Sequence, residues 1–301
     1  MRNSLIKSLW LLLIVISFNV SGCGPSTTTE SQEFDGDRAF KDLEYQVNLG
    51  PRVIGSNAHE QVRDWIIQKN EESGWTVEIQ TANFNGQEIY NIIARREMDQ
   101  NLPWVIIGAH YDSRMFADRD QVLANQSKPV PGANDGASGV SVLLELARIL
   151  PTNLGANVWL VYFDAEDNGK LPGGEWIIGS RAFVESLEEK PDAVVIVDMI
   201  GDSDLNIFYE KYSDQNLSQE IWRTAARLGY EEQFIMFPRH RLIDDHLPFI
   251  QAGIQAVDII DFDYPYWHTV SDTIDKVSAD SLKVVGDVLL AWVMERYGFS
   301  P

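Results

Sequence analysis

Histidines and carboxylates follow several predicted buried strands of this chain. The apolar run WVIIGAH ends in His110, and the run VWLVYFDAED brings in Glu166 and Asp167. A third run ends in Asp198, and a fourth leads towards His268. Open sheets of parallel strands bind ligands at the carboxyl ends of their strands. Imidazole nitrogens and carboxylate oxygens are metal ligands. These residues therefore predict a metal site at one edge of a sheet.

Residues 131–150, PGANDGASGVSVLLELARIL, organise the rest of the chain around one carboxylate. The first half is rich in glycine and contains Asp135, and the second half repeats apolar residues at helical spacing. We predict a tight loop that presents Asp135 at the N-terminus of a buried helix, where the helix dipole favours a charged carboxylate. The alternative is that Asp135 only caps that helix. On the same helix, Glu145 and Arg148 are expected to form an exposed pair.

Buried strands that alternate with amphipathic helices position these groups. The predicted strands cover residues 75–79, 89–95, 104–110, 158–163, 193–200, 205–209, 233–237 and 256–260. The predicted helices cover residues 36–48, 59–73, the segment after Asp135, 177–188, 217–228, a segment from about Asp245, and 279–296. This alternation is typical of an α/β sandwich with a largely parallel sheet.

Composition favours one large globular domain and excludes several kinds of partner. The chain has 301 residues, 45% of them hydrophobic, and a formal net charge of −21. An acidic surface argues against nucleic acid and anionic membranes as partners. It mildly favours cationic partners, such as the free N-terminus of a peptide.

The N-terminus is typical of an exported protein. Residues 1–22 combine a basic head with a short apolar run, as in a secretory signal peptide. The segment Val-Ser-Gly-Cys resembles a bacterial lipobox, in which Cys23 would carry the lipid, and Cys23 is the only cysteine of the chain. Residues 23–35 have the composition of a flexible tether, which leaves 36–301 as a single catalytic domain. We therefore expect an extracytoplasmic, membrane-anchored lipoprotein, or else a cleaved soluble form or an uncleaved anchor.

Cys23→Ser tests the lipid anchor. Loss of the acylated thiol should move the protein out of the membrane fraction, as measured by fractionation and immunoblotting. Retention of the variant in the membrane would refute lipidation.

The motifs together resemble the zinc aminopeptidase superfamily, whose other branch is glutaminyl cyclase. The matching segments are HYDSR (110–114), GANDGASGVSVLLELAR (132–148), FDAED (163–167), GSRAF (179–183), DMIG (198–201), DDHLPF (244–249) and YWHT (266–269). The resemblance covers about residues 37–297. It implies a three-layer α/β sandwich, with a mixed but mostly parallel central sheet and helices on both faces.

The resemblance also implies roles for single residues. Asp135, Asp167 and His268 match the zinc ligands, and Glu166 matches the general acid/base. In the aminopeptidases, the positions of His110 and Asp198 hold a second zinc, with Asp135 as the bridge. Carboxylate oxygen and imidazole nitrogen suit an open catalytic zinc site. The chain departs from both branches at Asp167, where they usually have glutamate.

Several features favour the cyclase branch. Asp244-Asp245 before His246, Trp267 directly before His268, and Asp258 in VDIID resemble glutaminyl cyclases, whereas Ile243 replaces the glutamine of animal members. The implied reaction converts an N-terminal Gln of a peptide or protein to pyroglutamate and ammonia. One zinc is expected to polarise the amide carbonyl.

The cyclase interpretation assigns further roles. Glu166 would transfer the proton, and Asp198 and Asp244 would form a carboxylate pair that shares a proton. Trp267 and Trp176 would wall the substrate pocket, which Asp258 would also line.

Two other functions use the same residues. A di-zinc aminopeptidase would take His110 and Asp198 as ligands, and Glu166 would activate water against the first peptide bond. A degenerate, binding-only member would lack the intact ligands and base that this sequence has.

Two smaller expectations concern neighbours of the site. Asp112 should orient His110 without binding metal, and His246 is either a helix cap or a site residue.

Overall fold

A computed structural model describes residues 33–96, 99 and 101–298. The predicted signal peptide, Cys23 and most of the predicted tether lie outside this range. Within it the helices are α1 (Gly36–Asn48), α2 (Asn57–Glu72), α3 (Ala137–Ile149), α4 (Ile178–Glu185), α5 (Gln215–Leu228), α6 (Leu247–Gln251) and α7 (Ala279–Tyr297). The strands are β1 (Thr76–Phe84), β2 (Gln87–Arg96), β3 (Trp104–His110), β4 (Asn157–Phe163), β5 (Ala193–Asp198), β6 (Ile207–Tyr209), β7 (Phe234–Pro238) and β8 (Ala256–Ile260). None of the helices in the described residues has the length and apolar character needed to cross a membrane.

A mixed six-stranded sheet forms the centre of the domain, with the strand order β1-β2-β4-β3-β5-β8. β4, β3, β5 and β8 run parallel, and β1 and β2 form an antiparallel extension. β6 and β7 pair in a separate small sheet. The predicted α/β sandwich with a mostly parallel sheet is therefore confirmed.

The apolar runs are continuous because both faces of the central strands are covered by helices. Val105 and Ile107 of β3 belong to the larger core, with side chains of α1, α2, α3, α5 and α7. Ile106, between them, points to the opposite face, where it packs in a smaller core with Phe183 of α4 and Phe249 of α6. This alternation along one strand gives the three layers.

The strand register gathers the polar chain segments at one edge of the sheet. His110 at the end of β3 pairs with Phe163 at the end of β4, directly before the FDAED carboxylates. Asp198 at the end of β5 pairs with Ile260 at the end of β8. The predicted convergence of the strand ends is thus a consequence of parallel pairing.

Glu145 on α3 corrects one expectation, because its side chain is fully buried. Arg38 of α1 donates through Nε to Glu145 Oε2 at 2.6 Å, and Arg148 donates from Nη1 to the same oxygen at 2.9 Å. Arg148 also pairs with Asp42 of α1. The predicted exposed pair is therefore part of an ion-pair network that surrounds the buried Glu145 and joins α1 to α3.

Glu145→Gln should destabilise the domain by about 2 kcal/mol, because glutamine removes the buried charge that pairs with Arg38 and Arg148 and weakens both charged hydrogen bonds. Urea unfolding monitored by circular dichroism measures this loss. The matched control is Glu175→Gln, since Glu175 forms an exposed pair with Arg181 and should change stability by less than about 1 kcal/mol. Equal effects of the two variants would contradict the network.

Candidate active site

Asp135 lies in the loop before α3 and is almost completely buried. Gly136, and not Asp135, is the N-cap residue of α3, and no side chain caps this helix. The capping alternative is therefore wrong. The Asp135–Gly136 peptide bond is cis. A Cβ atom on Gly136 would lie 2.5 Å from His110 Cε1, so only glycine lets the loop approach the imidazole this closely.

Close packing of α3 on the sheet fixes the position of this loop. A Cβ atom on Gly139 would lie 2.5 Å from the carbonyl oxygen of Val197 and 2.8 Å from Ala109 Cβ. Glycine at this position therefore lets the first turn of α3 rest directly on β3 and β5. Asp135 is carried to the carboxyl ends of the same two strands.

Asp135, Asp167 and His268 form the first candidate metal group, and their ligand atoms all lie within 4.8 Å of one another. His268 Nε2 is 3.0 Å from Asp167 Oδ1 and 3.8 Å from Asp135 Oδ2. All three side chains are buried. The structure thus brings together three residues that are far apart in the sequence.

His110, Asp135 and Asp198 form a second candidate group. His110 Nε2 lies 3.1 Å from Asp135 Oδ1 and 3.1 Å from Asp198 Oδ1. One oxygen of Asp135 therefore faces His110 while the other faces His268. A carboxylate in this arrangement can bridge two cations.

Both groups fit zinc by their chemistry and spacing. Atoms bound about 2 Å from one tetrahedral ion lie about 3.3 Å apart, close to the distances between these side chains. Asp167 Oδ2 is buried and has no hydrogen-bond partner among the described residues. A buried carboxylate oxygen without a partner is costly, and a metal ion satisfies it.

Asp112 lies behind the ligands and connects them. Its Oδ1 is 3.4 Å from His110 Nδ1. Its two oxygens accept hydrogen bonds from the backbone N–H groups of Glu166 (3.1 Å) and Asp167 (3.3 Å). Asp112 therefore orients His110, as the sequence predicted, and it also holds the segment that carries the candidate base.

Asp112→Asn should lower kcat/KM by about 10- to 100-fold with the fold retained, because such supporting partners typically contribute that much to metal sites. An amide offers one acceptor oxygen where the carboxylate offers two. Steady-state kinetics measure kcat/KM, and far-ultraviolet circular dichroism shows whether the fold is retained. Asp192→Asn is the control, since Asp192 is exposed and accepts from Trp104 N–H at the start of β3. An unaltered kcat/KM in Asp112→Asn would show that Asp112 is not needed to position His110 and Glu166.

Glu166 is buried next to the metal groups, and its side chain accepts no hydrogen bond from the described residues. Burial first, and the Asp244 charge second, raise the pKa of Glu166 well above its usual range. A carboxyl group with a raised pKa is suited to accept and return a proton near neutral pH.

A buried acidic cluster surrounds Asp198 and Asp244. Burial first, and the Asp198 charge second, raise the pKa of Asp244 to about 7. His246 occupies the N-cap position of α6, but its side chain makes no capping hydrogen bond. Its Nε2 lies 3.0 Å from Glu210 Oε2 and its Nδ1 lies 3.5 Å from Asp258 Oδ2. Asp258 itself is fully buried beside His246, with no exposed surface.

Two tryptophans pack against the imidazole of His268. The Trp267 ring centroid is 3.8 Å from that of His268, and the Trp176 ring stacks at 5.9 Å with an interplanar angle of 20°. Both indoles are partly exposed. The candidate metal groups are thus flanked by flat apolar surfaces that remain open to solvent.

Comparison with protein families agrees with this geometry. Residues 91–293 match the model of Peptidase family M28, which is more than half of the chain. The chain belongs to peptidase family M28. The predicted superfamily is confirmed, and this is a zinc-dependent family of enzymes.

Relatives of this M28 chain include a protein named as an aminopeptidase and another named as a glutaminyl-peptide cyclotransferase. Aminopeptidase YwaD of Bacillus subtilis (strain 168) is 30% identical over 237 residues, which cover 70% of this chain and 46% of that protein. The chain therefore spans less than half the length of this relative. Glutaminyl-peptide cyclotransferase of Drosophila melanogaster is 25% identical over 281 residues, which cover 79% of this chain and 75% of that protein.

Solved structures show the same M28 architecture. The crystal structure of Porphyromonas gingivalis glutaminyl cyclase matches with a TM-score of 0.83 and 30% identity, and the match covers 88% of this chain and 100% of that one. Because aminopeptidases and cyclases both occur among the relatives, the family establishes an enzyme fold and a metal chemistry but not the reaction.

Three supporting residues of this M28 site were missed in the sequence. Arg52 donates to the carbonyl oxygens of Pro131 (2.9 Å) and Gly132 (2.5 Å), and burial lowers its pKa to about 10. Asp272 accepts the backbone N–H groups of Asn134 (2.8 Å) and Asp135 (3.2 Å). Together they fix the backbone of the Asp135 loop at four positions.

The third missed residue is Asp118, which supports His268. Asp118 Oδ1 lies 3.4 Å from His268 Nδ1 and accepts from Arg114 Nε at 2.7 Å. Arg114 also donates to Asp167 Oδ1 at 3.1 Å. A charged residue within a loop gives no local signal of such contacts, whereas Arg114 could have been found from the HYDSR motif.

Proposed function

We propose that this M28 protein is a zinc-dependent glutaminyl-peptide cyclotransferase, which converts an N-terminal Gln of peptides or proteins to pyroglutamate and releases ammonia. One bound zinc is expected. Similarity to named glutaminyl cyclases supports this choice.

The observation that carries the proposal is the pair of indoles on His268. Trp267 and Trp176 both contact the imidazole that belongs to the first metal group. A glutamine side chain is short and ends in a planar amide, which would pack against the flat face of an indole. Water activated for peptide hydrolysis does not require such a surface.

Residues of this chain would move the proton. Glu166 takes a proton from the attacking α-amine and returns it to the side-chain nitrogen, which leaves as ammonia when the new C–N bond has formed. Asp244 and Asp198 form a carboxylate pair that accepts hydrogen bonds from the departing nitrogen. Attack is intramolecular, so correct orientation supplies much of the rate.

Asp135, Asp167 and His268 would hold the zinc, which supplies Lewis-acid polarisation of the side-chain carbonyl. In this assignment His110 remains a hydrogen-bonding neighbour of Asp135 and Asp198. Asp112 fixes the orientation of the His110 ring through the contact with His110 Nδ1.

A di-zinc aminopeptidase is the second candidate, and the second metal group favours it. His110 Nε2 lies equally close to Asp135 and Asp198, as a ligand to a further cation would. Glu166 would then take the proton from a water molecule that attacks the first peptide bond.

We also propose, from the sequence alone, that residues 1–22 direct export and that a lipid on Cys23 anchors residues 36–301 outside the cytoplasm. Peptides or proteins that expose an N-terminal Gln in that compartment would be the substrates.

Metal analysis beside two assays distinguishes the candidates. The purified protein is analysed by inductively coupled plasma mass spectrometry, and its turnover is measured with a Gln-peptide and with a Leu-amide. Ammonia and pyroglutamate with about one zinc per chain support the cyclotransferase. Released leucine with about two zincs per chain would overturn it in favour of the aminopeptidase.

A further inference from the structure

The loop after β3 holds an exposed arginine beside the candidate metal site. The backbone N–H of Arg119 donates to the carbonyl oxygen of His268 at 3.2 Å. Asp120 accepts the backbone N–H of Val270 at 3.2 Å. These two hydrogen bonds attach the loop to the segment that carries His268, so Arg119 keeps its place relative to the site.

The Arg119 side chain extends over the aromatic wall of the site. Its guanidinium carbon lies 5.1 Å from the Trp267 ring centroid. The side chain is exposed and forms no ion pair with any residue in the described part of the chain. Its N–H donors therefore face solvent next to Trp267, where a substrate would pass.

A second basic segment, residues 239–241, borders the same aromatic wall. The His240 ring lies 5.2 Å from Phe262, and Phe262 lies 4.9 Å from Trp267. Asp263 pairs with Arg239 at 2.9 Å and with His240 at 3.2 Å. Arg241 has no ion pair within the described residues, and its guanidinium carbon lies 5.7 Å from the Tyr212 ring centroid. This segment therefore adds positive charge near the aromatic wall, but only Arg119 lies over Trp267 itself.

Arg119 and residues 239–241 form a positive border beside the site. This local charge is opposite to that of the chain as a whole, whose formal charge is −21. The interior of the site is negatively charged, with carboxylates that attract the α-amine of a peptide. A peptide with a free N-terminus and a carboxylate further along the chain would match both charges at once.

The distances indicate which residue of the peptide reaches Arg119. The Trp267 ring centroid is 3.8 Å from that of His268, and the Arg119 guanidinium carbon is 5.1 Å from the Trp267 centroid, so these two distances set the upper limit of the separation between Arg119 and the His268 ring. An extended peptide rises about 3.3 Å per residue, so these two steps correspond to fewer than three residues. A residue next to the N-terminal Gln, or the one after it, therefore comes within reach of Arg119.

We propose that Arg119, supported by the basic segment 239–241, binds a carboxylate on the second or third residue of the substrate. The preferred substrates are then N-terminal Gln peptides with an acidic residue at these positions, or short peptides whose C-terminal carboxylate lies there. This specificity rests on the proposed cyclotransferase function, since it assigns the substrate class of that site.

Two peptide pairs test the proposal and separate the two sources of carboxylate. Gln-Glu-Leu-amide and Gln-Gln-Leu-amide differ in one side-chain charge, and Gln-Leu and Gln-Leu-amide differ in the terminal charge. For the zinc-containing enzyme we expect the acidic member of each pair to have a KM about threefold lower, with similar kcat. The difference should vanish in 0.5 M NaCl, because salt screens an exposed pair.

Arg119→Gln should abolish the KM ratio between the members of each pair. Arg223→Gln is the matched control, since Arg223 is exposed on α5 and bonds only Gln219 among the described residues. Its KM ratio should equal that of the wild type. Equal KM values for both members in the wild type, or an unchanged ratio in Arg119→Gln, would overturn the carboxylate site.

A binding measurement keeps this test independent of turnover. Calorimetric titration of the same peptides into the Glu166→Gln variant gives their dissociation constants without reaction. If no peptide yields pyroglutamate, the proposed function fails, while the ratio of dissociation constants still decides the carboxylate site. If pyroglutamate forms but the ratio is one, only the carboxylate site fails.

Discussion

Glu166→Gln is expected to lower kcat for a Gln-peptide by about 1,000-fold while the zinc content stays unchanged. A glutamine amide preserves the size of the side chain but cannot accept the proton of the attacking amine, and such proton transfer typically contributes about 10²- to 10⁴-fold. Glu166 is not a member of either candidate metal group, so its loss leaves the ligands intact. Ammonia release and metal analysis on the same sample measure both effects.

Glu175→Gln provides the control for this substitution. Glu175 lies on the same connection between β4 and α4, but it is exposed and pairs with Arg181. Its variant should turn over like the wild type. If Glu166→Gln also retained wild-type turnover, another group would move the proton, and the assignment of the base would be wrong.

Asp135→Asn is expected to remove bound metal and activity together. Asp135 is the one residue shared by both candidate groups, so the prediction holds for one zinc or two. Asparagine keeps the shape of the side chain but loses its charge and one acceptor oxygen. Metal-free carboxylates then repel one another, and the stabilisation contributed by bound metal, about 4 kcal/mol at 1,000 times Kd, is lost.

Thermal unfolding with and without a chelator measures this linkage. Chelation should lower the Tm of the wild type to about the Tm of Asp135→Asn, and it should leave the Tm of the variant unchanged. The assignment of the ligands would be contradicted if the variant still bound a full complement of zinc, or if the chelator left the Tm of the wild type unchanged.

Local sequence pattern was sufficient for most of the secondary structure. β3 was predicted at its observed bounds, because a strand buried on both faces is apolar at every position. β1 extends from Thr76 to Phe84, beyond the predicted end at Ile79. It is an edge strand with mostly exposed side chains, so Gln80 and Thr81 carry no apolar signal. The helix predicted from Asp245 is reduced to α6, which has five residues.

The candidate metal ligands could also be predicted from the sequence. Polar residues that directly follow apolar strands stand out, and parallel pairing brings them to one edge whatever the details of packing. Asp135, Asp167 and His268 meet there. The resemblance to family motifs then selected the candidate ligands and the candidate base from a larger number of carboxylates.

Only the tertiary structure decided which other charges are buried and what they contact. Glu145 was predicted to form an exposed pair, yet it accepts a hydrogen bond from Arg38, 107 residues away in the chain. Arg52, Asp118 and Asp272 support the site through contacts that no local pattern encodes. The sequence by itself thus determined the fold class and the candidate ligands, because burial periodicity and strand-end position are local properties. The supporting residues and the position of Arg119 beside Trp267 depend on which distant segments pack together, and only the folded chain determines that.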